Sequence, residues 1–203
     1  DLDRFGTVYT VGQTKGEFPV VNANYVDSNS STFIMSMDSN LSFINYSTVF
    51  GNGDINASFS PSAFLIDRCQ NIYVSGWGAD IIGQNAPPLF GMPTTPDAFQ
   101  PSSPNGFDFY LIVLERELKS LLYGTYFGGS ISREHVDGGT SRFDKKGVIY
   151  QSVCAGCGNN NDFPIEPNPG AVSSTNNSTN CNNGVFKFDF NFPILISDFD
   201  APW

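Results

Sequence analysis

Basic residues are scarce: ten Lys and Arg stand against twenty Asp and Glu in 203 residues, a formal net charge of −10. So few cations cannot supply the basic footprint that phosphate binding needs, so nucleic acid is excluded as an expected partner. Charge of either sign is sparse, at 15% of residues, which disfavours long Lys/Glu/Ala-rich helices. No apolar run approaches the roughly 18–20 residues that cross a bilayer as a helix, so no transmembrane segment is expected in this chain. The opening Asp1-Leu-Asp-Arg4 lacks the basic and apolar regions of a signal peptide. With the uncapped Asp200-Ala-Pro-Trp203 at the other end, this gives the expectation of a piece of a longer precursor. Histidine is reduced to His135 and cysteine to four residues, which limits nucleophile and metal chemistry.

What is abundant is aromatic and turn-forming. Nineteen Phe, eight Tyr and 40% hydrophobic residues can build a substantial core, and twenty Gly with thirteen Pro punctuate it. That combination predicts an all-β chain of short strands joined by turns.

A repeat runs through the whole chain. Asp3-Arg-Phe-Gly-Thr-Val-Tyr9, Asp67-Arg-Cys-Gln-Asn-Ile-Tyr73 and Asp144-Lys-Lys-Gly-Val-Ile-Tyr150 each place Asp six residues before Tyr. The Asp bonds its own downstream backbone, and Gly6, Asn71 or Gly147 is expected to supply the positive φ of a tight hairpin turn. Phe18-Pro19, Met92-Pro93 and Phe163-Pro164 then mark matched loops, because Pro is excluded from a central strand. Phe33–Met37, Tyr110–Leu114 and Val185–Phe188 read as the next strand. Leu41, Tyr46 and Phe50 repeat at the spacing of Leu118, Tyr123 and Phe127, and 17 residues separate both Phe50 from Asp67 and Phe127 from Asp144. Each unit therefore predicts a four-stranded up-and-down sheet, the blade of a β-propeller. Residues 1–60 are expected to form a partial blade starting at its second strand, 61–137 a full blade and 138–197 a last one, with 198–203 expected to be a linker into a downstream domain. Three blades do not close a ring, so the chain is expected to be a fragment of a larger propeller, either with upstream blades missing, the favoured expectation, or with its open edges covered by another polypeptide.

At Asn71-Ile-Tyr-Val-Ser-Gly-Trp-Gly78, Pro96-Asp-Ala-Phe-Gln100 and Leu122-Tyr-Gly-Thr-Tyr-Phe-Gly-Gly-Ser130 the sequence resembles the SBBP β-propeller repeat family over nearly its whole length. It looks especially like the repeats of large surface proteins of gliding Bacteroidetes, where a PKD-like domain and a type IX secretion signal follow. The resemblance implies a secreted protein at the bacterial outer cell surface, in contact with the secretion machinery during export. It carries no catalytic residues.

Cys154-Ala-Gly-Cys157 and Cys181 fall in one loop of the last repeat. In an exported chain a disulfide is expected, from Cys181 to Cys157 or Cys154. A zinc site would need a fourth ligand, and Cys69 maps to the Asp turn at the opposite end of the strands. His135 lies on an inter-blade link with no nucleophile motif beside it and reads as a loop or surface histidine. Trp77 has no counterpart in the other repeats and opens the longest loop. Trp77 and His135 are therefore the candidate contacts of a binding face. The acidic excess leaves Ca²⁺ as the one cofactor to consider, through Asp1/Asp3 or Asp198/Asp200, but neither pair has EF-hand spacing and solvated turns are expected.

The leading functional expectation is a non-catalytic structural or binding module that presents long loops on one face to a protein or glycan, as an adhesin does. A component or passenger of a type IX export or gliding-motility assembly is the second reading. A carbohydrate-active enzyme is the third, and it would need two suitably separated carboxylates that the sequence does not reveal.

Overall fold

A computed structural model of the chain describes residues 1–78, 87–136, 141–165 and 171–190. They form three antiparallel sheets. The first runs β1 (Val8–Gln13), β2 (Thr32–Met37), β3 (Ile44–Phe50). The second holds β4 (Phe59–Ile66), β5 (Ile72–Gly78), β6 (Phe109–Leu114) and β7 (Leu121–Phe127), paired in chain order. The third contains β8 (Ser141–Phe143), β9 (Ile149–Ala155) and β10 (Asn182–Phe188). Leu2 bridges to Val8 at the repeat position where Ile66, at the end of β4, pairs with Ile72 in the second sheet.

The sheets stack face to face, and β6 shows why. Its run Phe-Tyr-Leu-Ile-Val-Leu does not alternate in polarity, and all six residues are buried. Tyr110, Ile112 and Leu114 point into a core shared with Tyr9, Ile34 and Phe50 of the first sheet. Phe109 and Leu111 point the other way, into a core shared with Ile149, Val153 and Phe186 of the third. Each such side chain contributes roughly 1.5–3 kcal/mol on burial. Polar ties cross the same interfaces: Gln13 Nε2 donates to the Phe59 carbonyl at 2.5 Å, and Gln151 Nε2 to Ser75 Oγ at 2.5 Å.

The three Asp turns share one geometry. Asp3 Oδ1 accepts from the amides of Phe5 and Thr7, Asp67 Oδ1 from that of Asn71, and Asp144 Oδ1 from those of Lys146 and Val148. The left-handed position is third after the Asp: Gly6 at φ 81°, Gln70 at 68° and Gly147 at 83°. Asn71 is therefore not the positive-φ residue expected of it. Gln70 occupies that position while its side chain reaches Asp3 Oδ2 of the neighbouring turn at 2.9 Å. The conserved spacing to Tyr is explained by a second bond, since the Tyr9 and Tyr73 hydroxyls both lie 3.3 Å from Oδ2 of their own Asp.

The Pro-bearing loops also differ from free loops. Val21 pairs with Ser47 on the outer edge of β3, while Thr95 and Gln100 bond Gly124 and Tyr126 on the outer edge of β7. These segments leave the end opposite the Asp turns, fold back and cover the exposed strand edge, which blunts edge-to-edge association. Gly124 permits the approach, because a Cβ there would strike the Pro93 carbonyl.

Candidate functional site

The residues singled out from sequence converge. His135 lies on the link that follows β7, and it exchanges both backbone bonds with Cys154 at the end of β9: His135 N to Cys154 O at 3.2 Å and Cys154 N to His135 O at 2.9 Å. A cross-strand pair of this kind puts both side chains on one face. The next turn carries Gly156 at φ 62° and Gly158 at φ 82°, and it brings Cys157 Sγ to 3.7 Å from Cys154 Sγ. Cys157 and Cys181 lie at disulfide distance, 24 residues apart in sequence. Asn176 holds this loop together by donating to the carbonyls of Gly156, Asn160 and Asn180 at 2.9, 3.0 and 3.1 Å. Cys69 sits exposed in the Asp67 turn, remote from the group in the repeat.

Trp77 is not at the start of a loop. It lies within β5, paired with Ser60 and Phe109, half-buried against the core between the second and third sheets. Its ring centroid stands 6.2 Å from that of His135. His135 is likewise partly buried rather than a free surface residue. Beside them a cleft of about 300 Å³ opens between Gly78, Phe107, Arg133, Glu134, His135, Cys157 and Cys181. The Arg133 guanidinium lies 4.0 Å above the Phe107 ring, a cation–π contact at the cleft wall.

Under the link sits a group of acids that sequence reasoning did not find. Glu134 is 1% exposed and Asp108 0%. Burial pushes Glu134 up to about 7, with the Asp108 charge adding to the rise against bonds from Ser132 Oγ and the Gly129 amide. Burial likewise pushes Asp108 up to about 6, opposed by bonds including that from Gln100 Nε2 at 2.9 Å. Asp162 is held below the ordinary carboxylate value: burial raises it, but bonds from Ser132 and from the amides of Ile131 and Ser132 outweigh that. Asp108 and Glu134 interact directly, nearer than the roughly 5–9.5 Å spacing of a glycoside-cleaving pair, and both are almost fully buried, though Glu134 also lines the cleft. They instead fix the link that carries His135. No local motif marks them; the available signal was the Gly128-Gly129 pair, where a Cβ at Gly128 would strike the Asp108 carboxylate.

The proposed Ca²⁺ pairs give no cation site that can be described. Asp1 Oδ2 accepts from the Ile66 amide and Asp3 caps its own turn, so both are occupied structurally. Asp198 and Asp200, with the linker 198–203, lie outside the described residues. Among the described residues no helix is long and apolar enough to cross a membrane. No protein-family model and no curated protein matches the chain.

Proposed function

We propose that the chain is part of a β-propeller in a secreted surface protein of the SBBP-repeat type, acting as a non-catalytic structural and binding module. The observation that carries this reading is the stack of three like sheets. Strand β4 of the second sheet lies against both β1 of the first and β8 of the third. The first sheet also keeps an open face. Val8, Phe33, Met35 and Met37 there are only partly buried, while their repeat equivalents Ile72, Tyr110, Ile112 and Leu114 are fully buried against the first sheet. Further repeats of the same polypeptide are the occupants that this face fits.

The loop end, with the His135 cleft, the nearby Trp77 ring and the Arg133–Phe107 cation–π wall, is the binding surface, suited to a glycan ring or a protein side chain. Type IX export would place it on the bacterial exterior. Labelling of intact source cells with a membrane-impermeant amine reagent tests display: labelling without lysis is expected, and labelling only after lysis contradicts it. The non-catalytic reading is tested with a glycoside panel on wild type and Asp108→Asn. No turnover is expected from either, and turnover abolished in a folded Asp108→Asn variant would overturn it.

A further inference from the structure

We propose that His135, Cys154, Cys157 and Cys181 bind one zinc ion when the cysteines are reduced. The sequence map left three thiols without a fourth ligand, because it set His135 on a separate link. The structure joins that link to β9 at Cys154, and the ligand atoms of His135, Cys154 and Cys157 all lie within 4.8 Å of one another. Four ligands at about 2.0–2.3 Å around a tetrahedral ion stand roughly 3.4–3.8 Å apart. The 3.7 Å between Cys154 Sγ and Cys157 Sγ falls within that range. Cys181 already meets Cys157, so the fourth donor is in place once the pair is reduced.

The local backbone is that of a metal-holding turn. Cys-x-x-Cys with left-handed Gly156 and Gly158 curls the chain so that both sulfurs face one point. Gly156 admits no side chain, because a Cβ would lie 2.6 Å from the Asn160 carbonyl and 2.8 Å from Asn176 Nδ2. The loop is thereby closed on itself from outside the sulfur cluster. Three thiolates and one imidazole suit zinc, a borderline-soft ion without geometric preference, and not Ca²⁺ or Mg²⁺, which take oxygen ligands.

The chemistry balances as follows. A phosphine in water reduces the Cys157–Cys181 disulfide to two thiols and is itself oxidised to the phosphine oxide. Zinc then binds three sulfurs and the imidazole, releasing the three thiol protons to solvent. All four residues are partly exposed and His135, Cys157 and Cys181 line the cleft, which gives reductant and ion a route in. The oxidised and metal-bound forms exclude one another, since each uses Cys157 and Cys181.

The test is cobalt(II) titration of the full chain after phosphine reduction. Saturation at one ion per chain is expected, with ligand-field and thiolate charge-transfer bands of a tetrahedral site that added zinc bleaches. Cys154→Ser can still close the Cys157–Cys181 disulfide, so a denaturation curve of its oxidised form checks folding apart from metal binding, and after reduction it is expected to abolish the tetrahedral spectrum. Cys69→Ser is expected to keep it, and His135→Cys to keep a tetrahedral spectrum with stronger charge transfer. No tetrahedral bands in reduced wild type, an unchanged spectrum in Cys154→Ser, or a spectrum lost in Cys69→Ser would each overturn the assignment.

Discussion

Tyr73 and Tyr150 hold the same repeat position, yet Tyr73 is 4% exposed and Tyr150 45%. The difference is what lies opposite. Tyr73 packs on Phe143 of the third sheet and on Phe190 just after β10, with ring centroids 5.8 and 5.6 Å away. Tyr150 faces no described element, and its neighbours on that face are Arg142, Lys187, Ser152 and Val185. Tyr150 therefore does not pack between repeats as Tyr73 does. The first sheet shows the opposite case, an open face that is still apolar. Repeat register sets where a side chain points, and the neighbouring sheet sets whether it is buried.

The largest effect should come from breaking that contrast directly. Tyr73→Ala is expected to cost about 3–5 kcal/mol and Tyr150→Ala under about 1 kcal/mol in chemical denaturation. Equal costs would mean that the sheets do not stack as described. Removing the Cys157–Cys181 link by Cys181→Ser should cost about 3 kcal/mol under oxidising, metal-free conditions and little in reductant, because a loop of this length constrains mainly the unfolded chain. Thermal melts with and without reductant read this out.

Asp108 gives a pH signature at the interface between the second and third sheets. Its folded value of about 6 lies above its ordinary one, so between roughly pH 4 and pH 6 the folded state holds the extra proton. The Asp108 contribution to stability should fall as pH rises through that window, by at most about 3 kcal/mol, and Glu134, raised to about 7, should carry the fall on to about pH 7. Asp108→Asn should reduce the slope below about pH 6 in a pH series of denaturant midpoints. A smaller comparison is between two turn glycines. Gly6→Ala meets only Ser39 at 3.7 Å and should cost about 1 kcal/mol, whereas at Gly147 the added Cβ lies 2.9 Å from the Tyr73 ring and the cost should be larger. Paired denaturation curves decide the order.

The strands and turns were legible because they are local. Asp-x5-Tyr marks a side-chain cap that the chain makes within seven residues, and the runs at Phe33–Met37 and Tyr110–Leu114 lie within β2 and β6. The fold-back of the Pro loops was half legible: Pro showed that they are not central strands, but not which edge they cover. The site was least legible. Cys154, Cys157 and Cys181 share a loop in the repeat map, while His135, Asp108 and Glu134 join them only through tertiary contacts between a link and two sheets. Gln70 was missed because its left-handed backbone is held by a side-chain bond to another repeat rather than by residue type.

The most direct measurement is an experimental structure of the natively purified, full-length protein. The account predicts a ring in which another four-stranded sheet covers Val8, Phe33, Met35 and Met37, with the His135 cleft on the loop face. A native protein in which that face stands open to solvent, or is covered by something other than a sheet of this repeat, would contradict it.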